Sequence, residues 1–316
     1  EHRIQLIEDC AQSLGATFQS RRTGSFGIGC FSFGEGKNLY TMGGGMITTF
    51  DAQLAKQLRE VQGSASSPTL AVDLWKIFKT LAYRFATVPA VFTVTAFPLL
   101  YLDSLRNKTT DTDSEHTLDS MGDMEKGCNQ LSRVQAALGI AQLKNLSKRN
   151  QRRRDNGLWL SEALAGIEGL VLPPNLPDRI HLYMHYALKL LPSPISFLPL
   201  RRRGKSANNS SDGPARRIDG GDEGVLEDRE RIVRMLIRKG IDAQRDYCSF
   251  CPNLPDFKTA PGTAGTGSVN LSCNVPGTVA TARSLEGRVI YLPTQPDLGK
   301  DDMIRIARAL KDVLKK

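Results

Sequence analysis

The chain has 316 residues, 40% of them hydrophobic and 24% charged, an ordinary balance for a globular protein with room for one large core or two domains. Its net charge of +9 does not by itself select a nucleic-acid partner. The positive residues come in short clusters without interleaved aromatics, and an anionic nucleotide-diphosphate substrate fits the charge equally well.

The chain opens on Ile4-Gln5-Leu6-Ile7 running into Glu8-Asp9. That pattern predicts a parallel strand with carboxylates at its carboxyl end, where open α/β sheets place their ligands. Taken alone, Asp9 would also suit a helix N-cap. Cys30, Phe31 and Phe33 then predict a buried strand, followed by a lone lysine, Lys37, between Gly36 and the run Gly43-Gly44-Gly45. Lysine is ordinarily a solvated surface charge, and the surrounding glycines let the backbone approach something bulky. Ser32, five residues upstream, offers a hydroxyl to a phosphate. An apolar, glycine-lined slot favours a neutral amine, which suits Schiff-base chemistry.

A strand is predicted over Met46–Thr49, a helix over 51–62 capped by Asp51, and a linker over Ser64–Pro68. Leu70–Leu102 is an apolar excursion, and its part Phe85–Leu102 is uncharged for 18 residues, near the lower limit of a membrane span. Pro89, Pro98 and three threonines weaken a spanning reading. A segment packed on the large domain is the expectation, with a membrane-surface or partner-docking segment as the alternative. Ser104–Glu125 reads as a polar, acidic return. Within Gln130–Arg149, Val134, Ala137, Leu138 and Ala141 form a narrow stripe suited to close helix contact. Arg149–Arg154 lies mid-helix, before Trp159, Leu160 and Leu164, and reads as a solvated or dimer-facing side.

Val171–Pro174 leads into an aromatic-rich strand over His181–Leu190. Residues 192–223 are rich in Pro, Gly, Ser and Asn and predict a disordered insertion. Glu227–Lys239 is amphipathic and ends at a C-cap glycine, Gly240. Six cysteines (10, 30, 128, 248, 251 and 273) read as free thiols. Cys248-Ser-Phe-Cys251 has knuckle spacing but no second pair and no matching histidines, so no metal site is expected. No signal peptide is recognised, and reduced cytoplasm is the expected location. The last predicted helix is Asp301–Leu314.

Four elements occur in order within the first 45 residues. They are Glu8-Asp9-x-Ala11-Gln12, Gly24-Ser25-Phe26-Gly27, Cys30-Phe31-Ser32-Phe33 with lysine five residues past the serine, and the triple glycine. Together they resemble the signature of the DegT/DnrJ/EryC1/StrS family of pyridoxal-phosphate sugar aminotransferases. The resemblance implies a fold-type-I α/β architecture. Residues 1–145 would be the later part of the cofactor-binding large domain, and 146–316 a smaller α/β domain. It implies that Lys37 forms the Schiff base and shuttles the proton. Asp9 would pair with the pyridinium nitrogen so that the ring acts as an electron sink. Gln12 would touch the phenolic oxygen, and Ser32 the phosphate.

Leu131–Leu143 resembles the family's R-M-S-E-I-Q-A-A-L-G-x-A-Q-L helix, with Gln130 where the family has arginine. The family's asparagine, which reaches the neighbouring subunit's cofactor phosphate, falls on Cys128, with Asn129 one place off, so Asn129 is the candidate. His181-x-Tyr183-x-x-Tyr186 resembles an H-x-Y-x-x-Y strand. It makes His181 and Tyr186 candidates for the entrance used by amino donor or sugar, with core packing an equal alternative. Gly240–Tyr247 resembles G-I-x-x-x-x-x-Y and adds Tyr247; Cys251 stands where the family often has histidine. Val289–Pro293 with Pro296-Asp-Leu298 resembles the closing L-P-x-x-P-x-L.

The implied function is amino transfer to a keto-sugar nucleotide, with glutamate or glutamine as donor, in a homodimer. Relatives that dehydrate sugars carry histidine where this chain has Lys37, which favours amino transfer. A non-catalytic or regulatory relative, and a membrane-associated enzyme acting on envelope sugars, stay open as alternatives. Because the resemblance covers the family's later half to two-thirds, a missing upstream part is also expected.

Overall fold

A computed structural model of the chain describes residues 4–98, 101, 129–191, 220–245, 285 and 287–315. The strands that position the lysine come first in sequence. They are β1 (Ile7–Asp9), β2 (Thr17–Phe18), β3 (Arg21–Arg22), β4 (Ile28–Ser32) and β5 (Gly45–Thr48). β4 is the middle strand of a three-stranded sheet, parallel to β1 and antiparallel to β5. β1 starts three residues later than the apolar run suggested. Ile4 and Leu6 precede it with their side chains exposed, so hydrophobicity alone does not mark its start. A second small sheet joins β3, β2 and β7 (Arg179–Ile180).

Helix α1 (Ala52–Ser64) begins where the sequence predicts, because the Asp51 carboxylate accepts the amides of Gln53 and Leu54 and so caps two otherwise open donors. Next come α2 (Leu70–Ala86) and α3 (Pro89–Val94). The expected packing of this excursion is corrected here: the large apolar side chains of α2 face outward, with Leu70, Trp75 and Phe85 each more than 60% exposed. Among the described residues no helix is long and apolar enough to cross a membrane. Helix α4 (Arg133–Leu143) starts in a capping box between Ser132 and Gln135. Its buried positions are Gln135 and Gly139; of the predicted stripe Val134 and Leu138 are half-buried, while Ala137 and Ala141 are exposed. Helix α5 spans Leu146–Leu164.

The chain divides into two compact units. One comprises Glu1–Leu160, Pro174–His185 and Thr294–Met303, the other Ser161–Pro173, Tyr186–Pro293 and Ile304–Lys316. The division falls inside α5. Within Arg149–Arg154, read as a solvated or dimer-facing side, Gln151 and Arg152 are exposed, but Arg153 is buried, together with Asn150 and, beyond the run, Asn156. Asn156 Nδ2 donates to the carbonyls of Thr294, Gln295 and Leu298 at 3.0–3.3 Å. Gly157 lets the Tyr183 ring lie on the helix; a Cβ there would stand 2.4 Å from a ring carbon.

The second unit is built on β6 (Leu170–Val171), β8 (Tyr186–Leu190), β9 (Gln244–Arg245) and β10 (Val289–Leu292), in the antiparallel order β6-β8-β10-β9. Alternate residues point inward as period-2 pleating requires, so Tyr186, Leu188, Leu190, Ile290 and Leu292 are buried. Helix α6 (Gly220–Arg238) buries Ile232, Val233 and Leu236, and helix α7 (Lys300–Leu314) buries Ile306, Leu310 and Val313. The helical start at Gly220 takes in the last residues of the predicted insertion. Of the strand expected over His181–Leu190 only Tyr186–Leu190 forms, as β8, and residues 181–185 lie between it and β7. The acidic return and the rest of the insertion lie outside the described residues, as do Tyr247, Cys128, Cys248, Cys251 and Cys273.

Candidate active site

β1 and β4 run parallel, with Asp9 opposite Cys30 in the register. Their carboxyl ends therefore bring Asp9 and Ser32 to the same edge of the sheet. The chain leaves β4 through Phe33 and turns at Gly34–Lys37, where the Lys37 amide reaches the Gly34 carbonyl at 3.4 Å. Gly36 takes φ +72°, a conformation that side-chain-bearing residues seldom adopt. The chain then folds back on the strand: Thr41 N–H donates to the Phe33 carbonyl at 3.0 Å, and Phe33 N–H to the Gly44 carbonyl at 2.8 Å. Lys37 is half-buried, and Asn38 and Leu39 behind it are buried.

Two helices lock this loop. On α4, Gln135 Nε2 donates to the carbonyls of Thr41 and Gly43 at 2.9 and 3.1 Å. About two turns along, Gln142 Nε2 donates to the Tyr40 carbonyl at 2.5 Å. Gly139 lies between them, in contact range of Thr41 and Leu39. On α5, Asn150 Oδ1 accepts from Asn38 Nδ2 at 3.1 Å, and Asn150 Nδ2 donates to the Leu14 carbonyl at 2.9 Å. Asn150 thus ties the turn after β1 to the lysine loop. The side-chain groups of buried Gln135 and Asn150 are all partnered, as buried amides require, whereas the Asn38 Oδ1 is buried without a hydrogen-bond partner among the described residues.

Glu8 performs a role the sequence did not single out. Its carboxylate accepts the amides of Gly24, Phe26 and Gly27 at 2.7–3.1 Å and so shapes the Gly24–Gly27 turn that feeds β4. The acid pair was visible in the sequence, but nothing in it separated the clamp from the exposed partner. Asp9 is exposed, and its Oδ1 accepts the nearby Ala11 amide at 3.0 Å. It caps a turn and not a helix. Gln12 is exposed as well, and Ser32 is half-buried with its hydroxyl 3.4 Å from the Gly34 amide. Cys10, between these groups, is buried, and burial pushes its thiol pKa up.

The lysine has cationic company. His185 sits close enough to Lys37 and to Arg153 on α5 that both charges act with burial to lower its imidazole pKa, burial being the largest cause. Arg153 is held down to about 10 by burial and by Arg149, with Asp297 opposing, so it stays charged at neutral pH.

The other candidates are placed differently. Asn129 is exposed and bridges to Ser66 just past α1. His181 accepts the Tyr183 amide on Nδ1 at 3.0 Å and packs edge-on against that ring at 4.5 Å; the packing desolvates the imidazole and lowers its pKa. Tyr186 is fully buried in the second unit, its hydroxyl 2.9 Å from the Ser161 hydroxyl, a core placement. Tyr247 lies outside the described residues.

The donor set suits pyridoxal phosphate. A half-buried lysine supplies an amine, Asp9 an exposed carboxylate at the same sheet edge, and Ser32 a hydroxyl. Glycines at positive φ (Gly36, Gly43 and Gly44) leave the backbone bare beside them.

Comparison with known proteins agrees. The chain is 32% identical over 183 residues to the L-glutamine:2-deoxy-scyllo-inosose aminotransferase of Micromonospora echinospora, covering 57% of this chain and 34% of that protein. It is 46% identical over 76 residues to UDP-N-acetyl-3-dehydro-alpha-D-glucosamine 3-aminotransferase of Acidithiobacillus ferrooxidans, covering 23% of this chain and 21% of that one. It is 23% identical to GDP-perosamine synthase of Caulobacter vibrioides, over 99% of this chain and 60% of that one. Among solved structures, S. venezuelae DesV in complex with a ketimine intermediate is similar over 99% of this chain and 58% of its own, with TM-score 0.59 at 21% identity. The chain therefore spans between about a fifth and three-fifths of the length of these relatives. The fold is the fold-type-I α/β architecture of such aminotransferases. Residues 1–195 match the model of the DegT/DnrJ/EryC1/StrS aminotransferase family, and the chain belongs to that family.

Proposed function

We propose that the chain carries the lysine side of a pyridoxal-phosphate site in an aminotransferase that converts a keto-sugar nucleotide into an amino-sugar nucleotide. The observation that carries this is the shared carboxyl edge of β1 and β4, which sets Asp9 and Ser32 beside the loop that presents Lys37. Bound there, the cofactor would supply the electron sink for moving an amino group between donor and acceptor. Lys37 Nζ would hold the cofactor covalently and carry the proton between donor and product. Asp9 would keep the ring nitrogen protonated. Gln12 would meet the phenolic oxygen, and Ser32 the phosphate. Gln135, Gln142 and Asn150 fix the loop so that Nζ returns to one position.

The substrate class rests on the relatives' names, which join nucleotide-linked keto sugars to amino transfer, and glutamine appears as donor in one of them. Glutamate or glutamine is the donor proposed here. One relative is named a 3-dehydratase; lysine at position 37 favours amino transfer over dehydration. The reading also includes a cytoplasmic homodimer. In it, Asn129 of each copy would reach the cofactor phosphate of the other, and His181 and Tyr247 would contact substrate.

Borohydride reduction of the protein loaded with pyridoxal phosphate, followed by peptide mapping, tests the core of the reading. The label should appear on the peptide bearing Lys37 and vanish in Lys37→Ala. A label on Lys79 or Lys144 instead would overturn it.

A further inference from the structure

Helix α2 is turned the wrong way round for a helix of a protein core. Asp73 is 6% exposed, and Lys76, Ile77 and Thr80 beside it on the same face are half-buried. On the opposite face Leu70, Leu74, Trp75, Phe78, Leu81 and Phe85 are 56–72% exposed. Five of these follow the i, i+4, i+8, i+11, i+15 spacing that makes one helical stripe, and Trp75 stacks on Phe78 with ring centroids 5.7 Å apart. The face continues past the helix: Val88 is 42% exposed and Val94, at the end of α3, is 75% exposed. An apolar surface this continuous marks a contact site in a soluble protein.

Charge selects the occupant. At 100° per residue, Arg84 falls just outside Leu70, and Lys79 falls past Trp75 with exposed Val72 and Tyr83 further round; both cations are exposed. The one acid of the helix, Asp73, is buried. A two-fold contact with a second copy would set this cation-bearing face against itself, like charge against like. An anionic bilayer surface complements it, since lipid-facing helices carry Trp, Phe and Leu on one side and Lys or Arg at its borders, and anionic headgroups attract such cations. The 17 residues of α2 extend only about 25 Å, short of the hydrocarbon thickness of about 30 Å, so the helix would lie along the surface and not across it.

We infer that α2 and α3 form a docking face for an anionic membrane surface, with the α2 stripe entering the headgroup boundary. This does not depend on the proposed amino transfer.

Flotation of the 316-residue chain with phosphatidylcholine vesicles containing roughly a third phosphatidylserine tests it. The chain should rise with the vesicles, and about tenfold less of it with pure phosphatidylcholine. Leu74→Glu with Phe78→Glu should abolish flotation, and these exposed positions leave the core untouched. Lys79→Glu with Arg84→Glu should remove only the preference for anionic lipid. A second measurement reads the helix itself: lipids carrying a quencher should dim fluorescence in the wild type and not in Trp75→Phe. A wild type that stays in the bottom fractions overturns the inference, as does flotation unchanged by the glutamate pair. So does a concentration-dependent dimer that the same pair dissolves without any lipid binding, because a second copy would then own the face.

Discussion

Helices α5 and α2 invert each other. Helix α5 is rich in arginine and amide side chains, yet it buries Asn150, Arg153 and Asn156 next to Leu160 and Leu164. Helix α2 is rich in leucine and aromatics, yet it exposes them and turns Asp73 inward. The difference lies in what each helix faces. Asn156 meets three carbonyls around Thr294–Leu298, and Asn150 meets Asn38 and Leu14. A buried amide costs little when its partners are already in place, and much when they are absent. An apolar side chain gains only where another surface closes over it, and among the described residues nothing closes over the outer stripe of α2.

Truncating one leucine on each helix would sharpen the contrast. Leu160→Ala empties a fully buried site and should cost about 2–5 kcal/mol, read as a lower urea midpoint with an unchanged slope. A loss under about 1 kcal/mol would mean that α5 is not the buried strut described. A smaller effect should come from acid, through the Arg153 side of α5. The folded protein holds the pKa of His185 below its ordinary 6.5, through burial first and then Arg153 and Lys37. The unfolded chain takes up a proton near pH 6.5 that the folded chain refuses. Stability is therefore complete above about pH 6.5 and falls as the pH drops below it. His185→Gln should flatten that slope in denaturation curves taken between neutral and mildly acidic pH; an unaltered slope would remove His185 from the account. Smallest of all, Leu81→Ala on α2 should move stability by no more than about 0.5 kcal/mol. A loss matching that of Leu160→Ala would show that the α2 stripe is covered in solution.

The inversion also explains which parts of the molecule were legible in the sequence. Motif order placed the lysine loop, the two parallel strands and the caps at Asp51 and Gly240, because glycines at positive φ and carboxylates at helix starts leave local signatures. Helix α7 was legible from apolar spacing, and of the residues that carried it Ile306, Ala307 and Leu310 are buried while Ile304 is exposed. What failed was facing. For α4 the apolar residues suggested a contact stripe at Val134, Ala137, Leu138 and Ala141; Val134 and Leu138 are half-buried but both alanines are exposed, and the loop carbonyls of Tyr40, Thr41 and Gly43 engage Gln135 and Gln142. Carbonyl positions are a tertiary property and leave no mark in a one-dimensional pattern. The Arg149–Arg154 run misled in the same way, and the clamp at Glu8 was hidden behind the more suggestive Asp9.

That clamp has a consequence for the fidelity of the site. Successive side chains of a strand point to opposite sides, so with Glu8 committed to the Gly24–Gly27 amides, its neighbour Asp9 is delivered to the other side of β1. The two acids work as a key with one permitted phase. A slip of one residue would swap every side chain of the strand between faces, sending Asp9 into the turn and leaving Glu8, one methylene longer, where Asp9 stands. Three backbone hydrogen bonds to a single carboxylate resist that slip. The placement of the candidate cofactor-binding acid is thus proof-read by a residue that itself stays out of the chemistry.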